Sequence, residues 1–159
     1  MKRAMIAIMA LIWILISAGK IGVADSKFVC VVHRGEWVWV REAPDKDAAK
    51  IDTIRYGVEC QVSEIVNQFA HITYRGGKSG WTDVSYLEMP IEETIYTITT
   101  DGPVNKRETP DGRYMGRVKG GGTRISVLGW RYSPSGELWA KVYHGGYIKA
   151  EYLRIAEAN

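Results

Sequence analysis

The chain has 159 residues, 46% hydrophobic and 25% charged, proportions that exclude a disordered chain. Its formal net charge is +3, but residues 1–24 hold Lys2, Arg3 and Lys20 and no acid, so the remainder is neutral. A neutral body has no general electrostatic reason to hold nucleic acid and leaves room only for local basic patches.

The chain opens with a positive Lys2-Arg3 followed by the uncharged, mostly apolar run Ala4–Ala18, too short for a spanning helix. Gly22-Val23-Ala24 then supplies small residues at a cleavage site. This pattern predicts a secretory signal peptide over 1–24, with an uncleaved N-terminal anchor as the alternative. No stable membrane span is expected after cleavage, and the mature protein is placed outside the cytoplasm, secreted or in the cell envelope.

Beyond residue 25 the periodicity is that of strands. Phe28, Cys30 and Val32 alternate, as do Val38 and Val40, then Val58, Cys60 and Val62, then Ala70, Ile72 and Tyr74. Arg34-Gly35, Ala43-Pro44-Asp45, Tyr56-Gly57, Asn67-Gln68 and Arg75–Gly80 read as the turns between them. Gly57 suits a tight strand entry at positive φ. Short strands at this spacing predict an all-β sandwich or small barrel. Cys30 and Cys60 allow one disulfide in an exported chain, or stand as two buried thiols.

The second half repeats the first. Arg41-Glu42-Ala43-Pro44-Asp45 returns as Arg107-Glu108-Thr109-Pro110-Asp111, 66 positions later. Phe69-Ala70-His71-Ile72 returns as Trp139-Ala140-Lys141-Val142, and Gly80-Trp81 with Tyr86-Leu87 as Gly146-Tyr147 with Tyr152-Leu153. Tyr56-Gly57-Val58 has its echo in Gly120-Gly121-Gly122. The duplication predicts two units, 26–89 and 94–156, joined by Met89-Pro90-Ile91-Glu92-Glu93.

Each unit resembles a bacterial SH3 domain. The resemblance rests on Val38-Trp39-Val40-Arg41, Gly57-Val58, Phe69–Ile72, Gly80-Trp81-Thr82 and Tyr86-Leu87 in the first, and on Val104-Asn105-Lys106-Arg107, Trp139–Val142, Gly146-Tyr147-Ile148 and Tyr152-Leu153 in the second. Glu42-Ala43 and Glu108-Thr109 replace the usual Ser-Gly, and Trp39 stands where Asn is usual. The resemblance implies two small SH3-like β-barrels in tandem. It also implies cell-wall peptidoglycan, as peptide or glycan, as the ligand class.

Catalysis finds little support. His33, His71 and His144 form no helical metal pair, and Cys30 and Cys60 lack zinc spacing, so no metal or cofactor is expected. A Cys30–His33 nucleophile and base would sit on opposite faces of an extended strand. Asp83, Glu88, Glu92 and Glu93 read as solvated surface. The aromatics are the better lead. Trp81, Trp139, Tyr86 and Tyr152 are expected mainly in the core. In-out alternation buries Val38 and Val40 and leaves Trp37, Trp39 and Arg41 on a face that is wet, meets a partner or is covered by the second unit. With Tyr56 and, in the second unit, Asn105, Arg107, Trp130 and Tyr132, these are the candidate binding residues. The partner is then peptidoglycan or, alternatively, an envelope protein, with the chain acting as inhibitor or accessory factor of an exported enzyme.

Overall fold

The structure is a computed structural model that describes residues 20–32 and 35–156, with side chains from Lys27 onward. The expected leader lies outside the described residues up to position 19, as does His33. The backbone of Lys20–Ala24 opens the first strand. Among the described residues there are strands and two 3-10 turns and no α-helix. None forms a helix long and apolar enough to cross a membrane. The chain divides into two compact units at Asp83/Val84.

The first unit contains β1 (Lys20–Cys30), β2 (Trp37–Arg41), β3 (Lys50–Arg55), β4 (Glu59–Val66), β5 (Phe69–Tyr74) and β6 (Lys78–Asp83). All its ladders are antiparallel, in the order β3-β2-β6-β5-β4-β1. Alternation sends Val38 and Val40 of β2, Cys60, Val62 and Ile65 of β4, and Ala70 and Ile72 of β5 into one core with Phe28 and Ile54. Each of the larger aliphatics removed from water stabilises the fold by about 2 kcal/mol. Asn67 and Gln68, both at positive φ, form the two-residue turn that closes β4 on β5 with Val66 opposite Phe69. Arg75, Gly76 and Gly77 do the same between β5 and β6.

The second unit opens with a 3-10 turn (Val84–Tyr86) and contains β7 (Leu87–Ile98), β8 (Val104–Arg107), β9 (Tyr114–Val118), β10 (Arg124–Tyr132), β11 (Leu138–Val142) and β12 (Tyr147–Lys149). A second 3-10 turn (Ala150–Tyr152) and β13 (Leu153–Ile155) close it. The order is β9-β8-β12-β11-β10-β7, with β13 on β7, the same path as in the first unit. The segment expected as a connection, Met89–Glu93, is instead strand: Met89 pairs with Trp130 and Pro90 with Gly129 inside β7. The prolyl residue, which signalled a break, is tolerated because the ladder bulges between Val127 and Gly129.

The repeated motifs acquire physical reasons. Arg41 Nη1 donates to the Ala48 carbonyl at 2.9 Å, and Arg107 Nη1 to the Gly112 carbonyl at 2.8 Å, so each arginine pins the loop that follows it. Glu42 N–H to Ala49 O and Glu108 N–H to Arg113 O close the same two loops. Gly57 N–H bonds Cys30 O and Gly122 N–H bonds Ile98 O, both glycines at positive φ. A methyl on Gly80 would stand 3.0 Å from the Arg41 carbonyl oxygen, and one on Gly146 2.7 Å from that of Arg107. The glycine of each Gly-aromatic pair is therefore demanded by a strand passing close over the arginine's backbone.

Cys30 and Cys60 lie on paired strands, Cys60 opposite Phe28 and the Cys30 amide bonded to Val58 O. The structure holds both as buried thiols, without the expected disulfide. Their positions are offset by one diagonal step across the ladder instead of facing each other. Burial, and then the neighbouring Cys30, push the Cys60 thiol from 9.0 up to about 12.

Two outcomes follow. Gly146→Ala, at φ +83 and against backbone, will lower unfolding free energy by about 1–3 kcal/mol, read as a drop in denaturant midpoint at unchanged m. Cys60, Tyr74 and Tyr96 all hold their protons up to about 12, chiefly through burial. The folded state therefore binds more protons than the unfolded chain above the ordinary thiol and phenol values of 9.0 and 10.0. Their contribution to stability is complete below about pH 9 and declines as pH rises towards 12, which unfolding midpoints across that range will register.

Candidate functional site

β2 is a strand because Val38 and Val40 alternate with larger residues that need not be buried, and its burial pattern follows that alternation. The opposite face carries Trp37 and Trp39, 46% and 36% exposed, enough to leave both rings accessible to a ligand. Their centroids are 4.4 Å apart at 76°, an edge-to-face pair. Across the ladder Trp37 faces Arg55 and Trp39 faces Thr53. The register then slips: Val40 faces Asp52, but Arg41 faces Lys50. Ile51 is the surplus residue of this bulge, and it turns Lys50 onto the tryptophan face. There Lys50 Nζ sits 4.6 Å over the Trp39 ring.

Behind this face Asp52 ties β3 to β5 and β6. It accepts from the Thr53 amide at 2.7 Å, the Lys78 ammonium at 3.0 Å and the Tyr74 hydroxyl at 3.1 Å. The Thr53 amide first, and then Lys78, hold its carboxyl down at about 2, so it stays ionised throughout the physiological range. Burial, and then Asp52, push the Tyr74 hydroxyl up to about 12.

The second unit presents a different surface at the repeated positions. Asn105 takes the place of Trp39. Asn105 and Arg107 line a groove of about 440 Å³ together with Thr100, Trp139, Lys149 and Tyr152. Lys149 Nζ lies 5.7 Å over the Trp139 ring and bonds Glu137 at 2.5 Å. The indole N–H of Trp139 is buried without a hydrogen-bond partner among the described residues.

Of the residues expected to bind, the structure brings Trp37, Trp39 and Arg41 together on one face, and Asn105 with Arg107 in one groove. Tyr56 is exposed in the turn after β3. Trp130 is a correction. It is 3% exposed, packed edge-to-face on Tyr96 at 5.3 Å, because the β10 bulge turns it inward opposite Met89 and Ala140. Tyr132 is half-buried, and burial raises its hydroxyl. Among the expected core aromatics Trp139 is buried, Trp81 and Tyr152 are half-buried, and Tyr86 is 41% exposed. Glu88, read as surface, is buried, and its carboxylate bonds Lys141 at 2.8 Å and the Tyr147 hydroxyl at 2.5 Å. Sequence reasoning also missed Lys50 and Arg55. The strand period could have placed Arg55 opposite Trp37, whereas the bulge that aims Lys50 leaves no local signal. No three His, Cys, Asp or Glu side chains among the described residues gather as metal ligands.

Residues 38–88 match the family model of the bacterial SH3 domain. The first unit thus carries a bacterial SH3-like domain; Trp39, Arg41, Lys50 and Arg55 lie within the match and Trp37 immediately before it. No curated protein matches. Among solved structures the chain is similar to NlpC2 and NlpC1 from Trichomonas vaginalis, at 13% and 16% identity and a TM-score of 0.38 for each. The alignments cover 84% and 86% of this chain and 49% of each of those, so the chain spans about half their length. It is also similar to the endolysin LysPBC5 CBD at 16% identity and TM-score 0.33, over 83% of this chain and 94% of that one.

The guanidinium contact to the loop gives Arg41 a structural duty independent of any ligand. Arg41→Gln will lower stability by about 1 kcal/mol in the free protein, and a thermal unfolding series without ligand measures it.

Proposed function

We propose that the protein is a non-catalytic, exported binding module that attaches to the bacterial cell wall through the tryptophan face of its first unit. Peptidoglycan is the ligand class, and the second unit acts as a second SH3-like barrel. One observation carries the reading: two adjacent tryptophans left open to solvent on a bacterial SH3-like strand, with a lysine over one ring. Paired rings at a solvent face cost interfacial free energy unless a partner covers them, and they supply the rigid apolar contact that sugar rings and extended peptides use. The shared strand path and the paired arginine and glycine contacts support the duplicate reading of the second unit. Its groove, holding Asn105 and Arg107, would then add a second weak contact on the same chain and raise affinity through effective concentration.

A second reading makes the chain an accessory factor or inhibitor of an exported enzyme. It is favoured by the exposure of three large apolar side chains, Tyr114, Met115 and Tyr143, on the second unit.

Sedimentation with insoluble peptidoglycan tests the choice. The intact protein will pellet with it at low salt, and Trp39→Ala will weaken retention about tenfold while leaving the fold intact. Absence of native protein from the pellet rejects wall binding.

A further inference from the structure

Three positions of the second unit's groove are filled differently from the matching positions of the first. Trp139 pairs with Lys149 where Phe69 pairs with Asp83, and Asn105 stands where Trp39 does. A hydrocarbon ring gives way to one with an N–H donor, an acid to a cation, and an indole to a carboxamide. Thr100, Asn105, Arg107, Trp139, Lys149 and Tyr152 line the groove, and none of its lining residues is an acid. Its volume of about 440 Å³ falls at the lower end of small-ligand sites.

The charges in the groove do not cancel. Lys149 is matched by Glu137 at 2.5 Å and Glu151 at 4.0 Å. The acids of the loop after β8 are engaged too, Asp111 by Ser135 at 2.5 Å and Glu108 by Arg113 at 3.0 Å. Arg107 gives one N–H to the Gly112 carbonyl and forms no ion pair among the described residues. A second group is unmet at the same place. Trp139 is 2% exposed, and its indole N–H is buried with no acceptor among the described residues. Trp130 shares that lack but does not line the groove. A buried donor without an acceptor costs the fold its lost hydration, and a bound acceptor removes that cost. Arg107 and the Trp139 N–H thus call for one anionic acceptor. A carboxylate takes a guanidinium in two parallel bonds and brings a single charge, whereas a phosphate monoester brings about −1.5 to −2.

The remaining lining selects the body that carries this carboxylate. With no acid to receive an ammonium, a free amino acid does not fit. The Asn105 carboxamide can both donate and accept. The Thr100 hydroxyl gives its proton to the Gly102 carbonyl at 2.9 Å and keeps its lone pairs for a donor. Donors and acceptors set beside the Tyr152 ring suit the hydroxyls and the C–H face of a sugar. We infer that the groove of the second unit binds a single hexuronic acid unit, with its carboxylate on Arg107 and the Trp139 N–H and its hydroxyls on Asn105 and Thr100. The inference goes beyond the wall-binding reading and does not need it, because every residue involved belongs to the second unit.

Nuclear magnetic resonance of the indole N–H groups of the intact protein tests it, with methyl glucuronide as the probe. Loss of one signal in Trp139→Phe identifies the Trp139 N–H. Titration with the probe will shift that signal. Methyl glucoside, which lacks only the carboxylate, will bind about tenfold more weakly, as will N-acetylalanine and inorganic phosphate. Trp139→Phe puts in place the residue that the first unit has there, and will weaken glucuronide binding about threefold to tenfold, followed on the probe's own signals. Should that variant fail to fold, Asn105→Trp, an exchange at an exposed position, will fill the groove and abolish binding. Trp39→Ala, in the first unit, will leave glucuronide binding unchanged. Equal binding of the glucoside would overturn the carboxylate contact, and equal binding of N-acetylalanine or phosphate would overturn the sugar. A glucuronide that leaves the Trp139 signal in place, binds Asn105→Trp as well as the native protein, or does not bind at all would overturn the site. None of these outcomes turns on retention by peptidoglycan, so the two readings stand or fall separately.

Discussion

A strand laid tightly over a backbone carbonyl is the constraint from which the rest of each unit follows. β6 crosses the carbonyl of Arg41, and β12 that of Arg107, with no room for a Cβ at Gly80 or Gly146. The same arginines reach out to hold the loop carbonyls of Ala48 and Gly112. One residue thus fixes a strand on its backbone side and a loop on its side-chain side. The loop in turn fixes where β3 and β9 begin, and hence which side chains share the outer face with β2 and β8. The make-up of that outer face therefore depends on contacts made to the backbone and the loop behind it.

The pattern of strands was open to reading from the chain alone, since alternation marks Val38 and Val40, Ala70 and Ile72, and the turn chemistry of Gly57 and Asn67-Gln68 is local. The recurrence of short motifs was equally visible, because Arg, Pro and Gly recur at positions where backbone geometry leaves few substitutes. What stayed hidden has one physical cause. A bulge adds a residue without changing composition, so the period-2 rule keeps counting correctly while the faces exchange. Trp130 went inward and Lys50 outward for that reason. Met89–Glu93 looked like a linker because proline and paired acids are usually found there, yet the β7–β10 ladder sets Ile91, Glu92 and Glu93 against Leu128 alone, an irregularity that admits Pro90. Glu88 was misjudged by charge alone: a carboxylate is buried when Lys141 and Tyr147 replace its water.

The two units illustrate how one backbone plan supports unlike surfaces. Trp39 and Asn105 occupy the same repeat position, but one builds a ridge of rings and the other lines a groove with Trp139 beneath it. The core positions change little in character between the halves, being mostly aliphatic, aromatic or alanine in both, with Cys30 and Cys60 added in the first. The outward positions are free to diverge because their side chains contribute little to the core. One strand path can therefore keep its core while the side chains it turns outward differ.

The surplus residue of β3 has a counterpart in β9. Arg107 faces Tyr114 as Arg41 faces Lys50, leaving Met115 over where Ile51 is. Both surplus side chains reach the glycine of the crossing strand: a methyl on Gly80 would come within 3.0 Å of Ile51 Cδ1, and one on Gly146 within 3.2 Å of Met115 Sδ. Gain or loss of one codon there would hand the outer position to the adjacent amino acid and change the chemistry shown to solvent, with the hydrophobic interior left as it was. A change of length in this short stretch thus exchanges an outward side chain in one step while the paired positions on either side keep theirs.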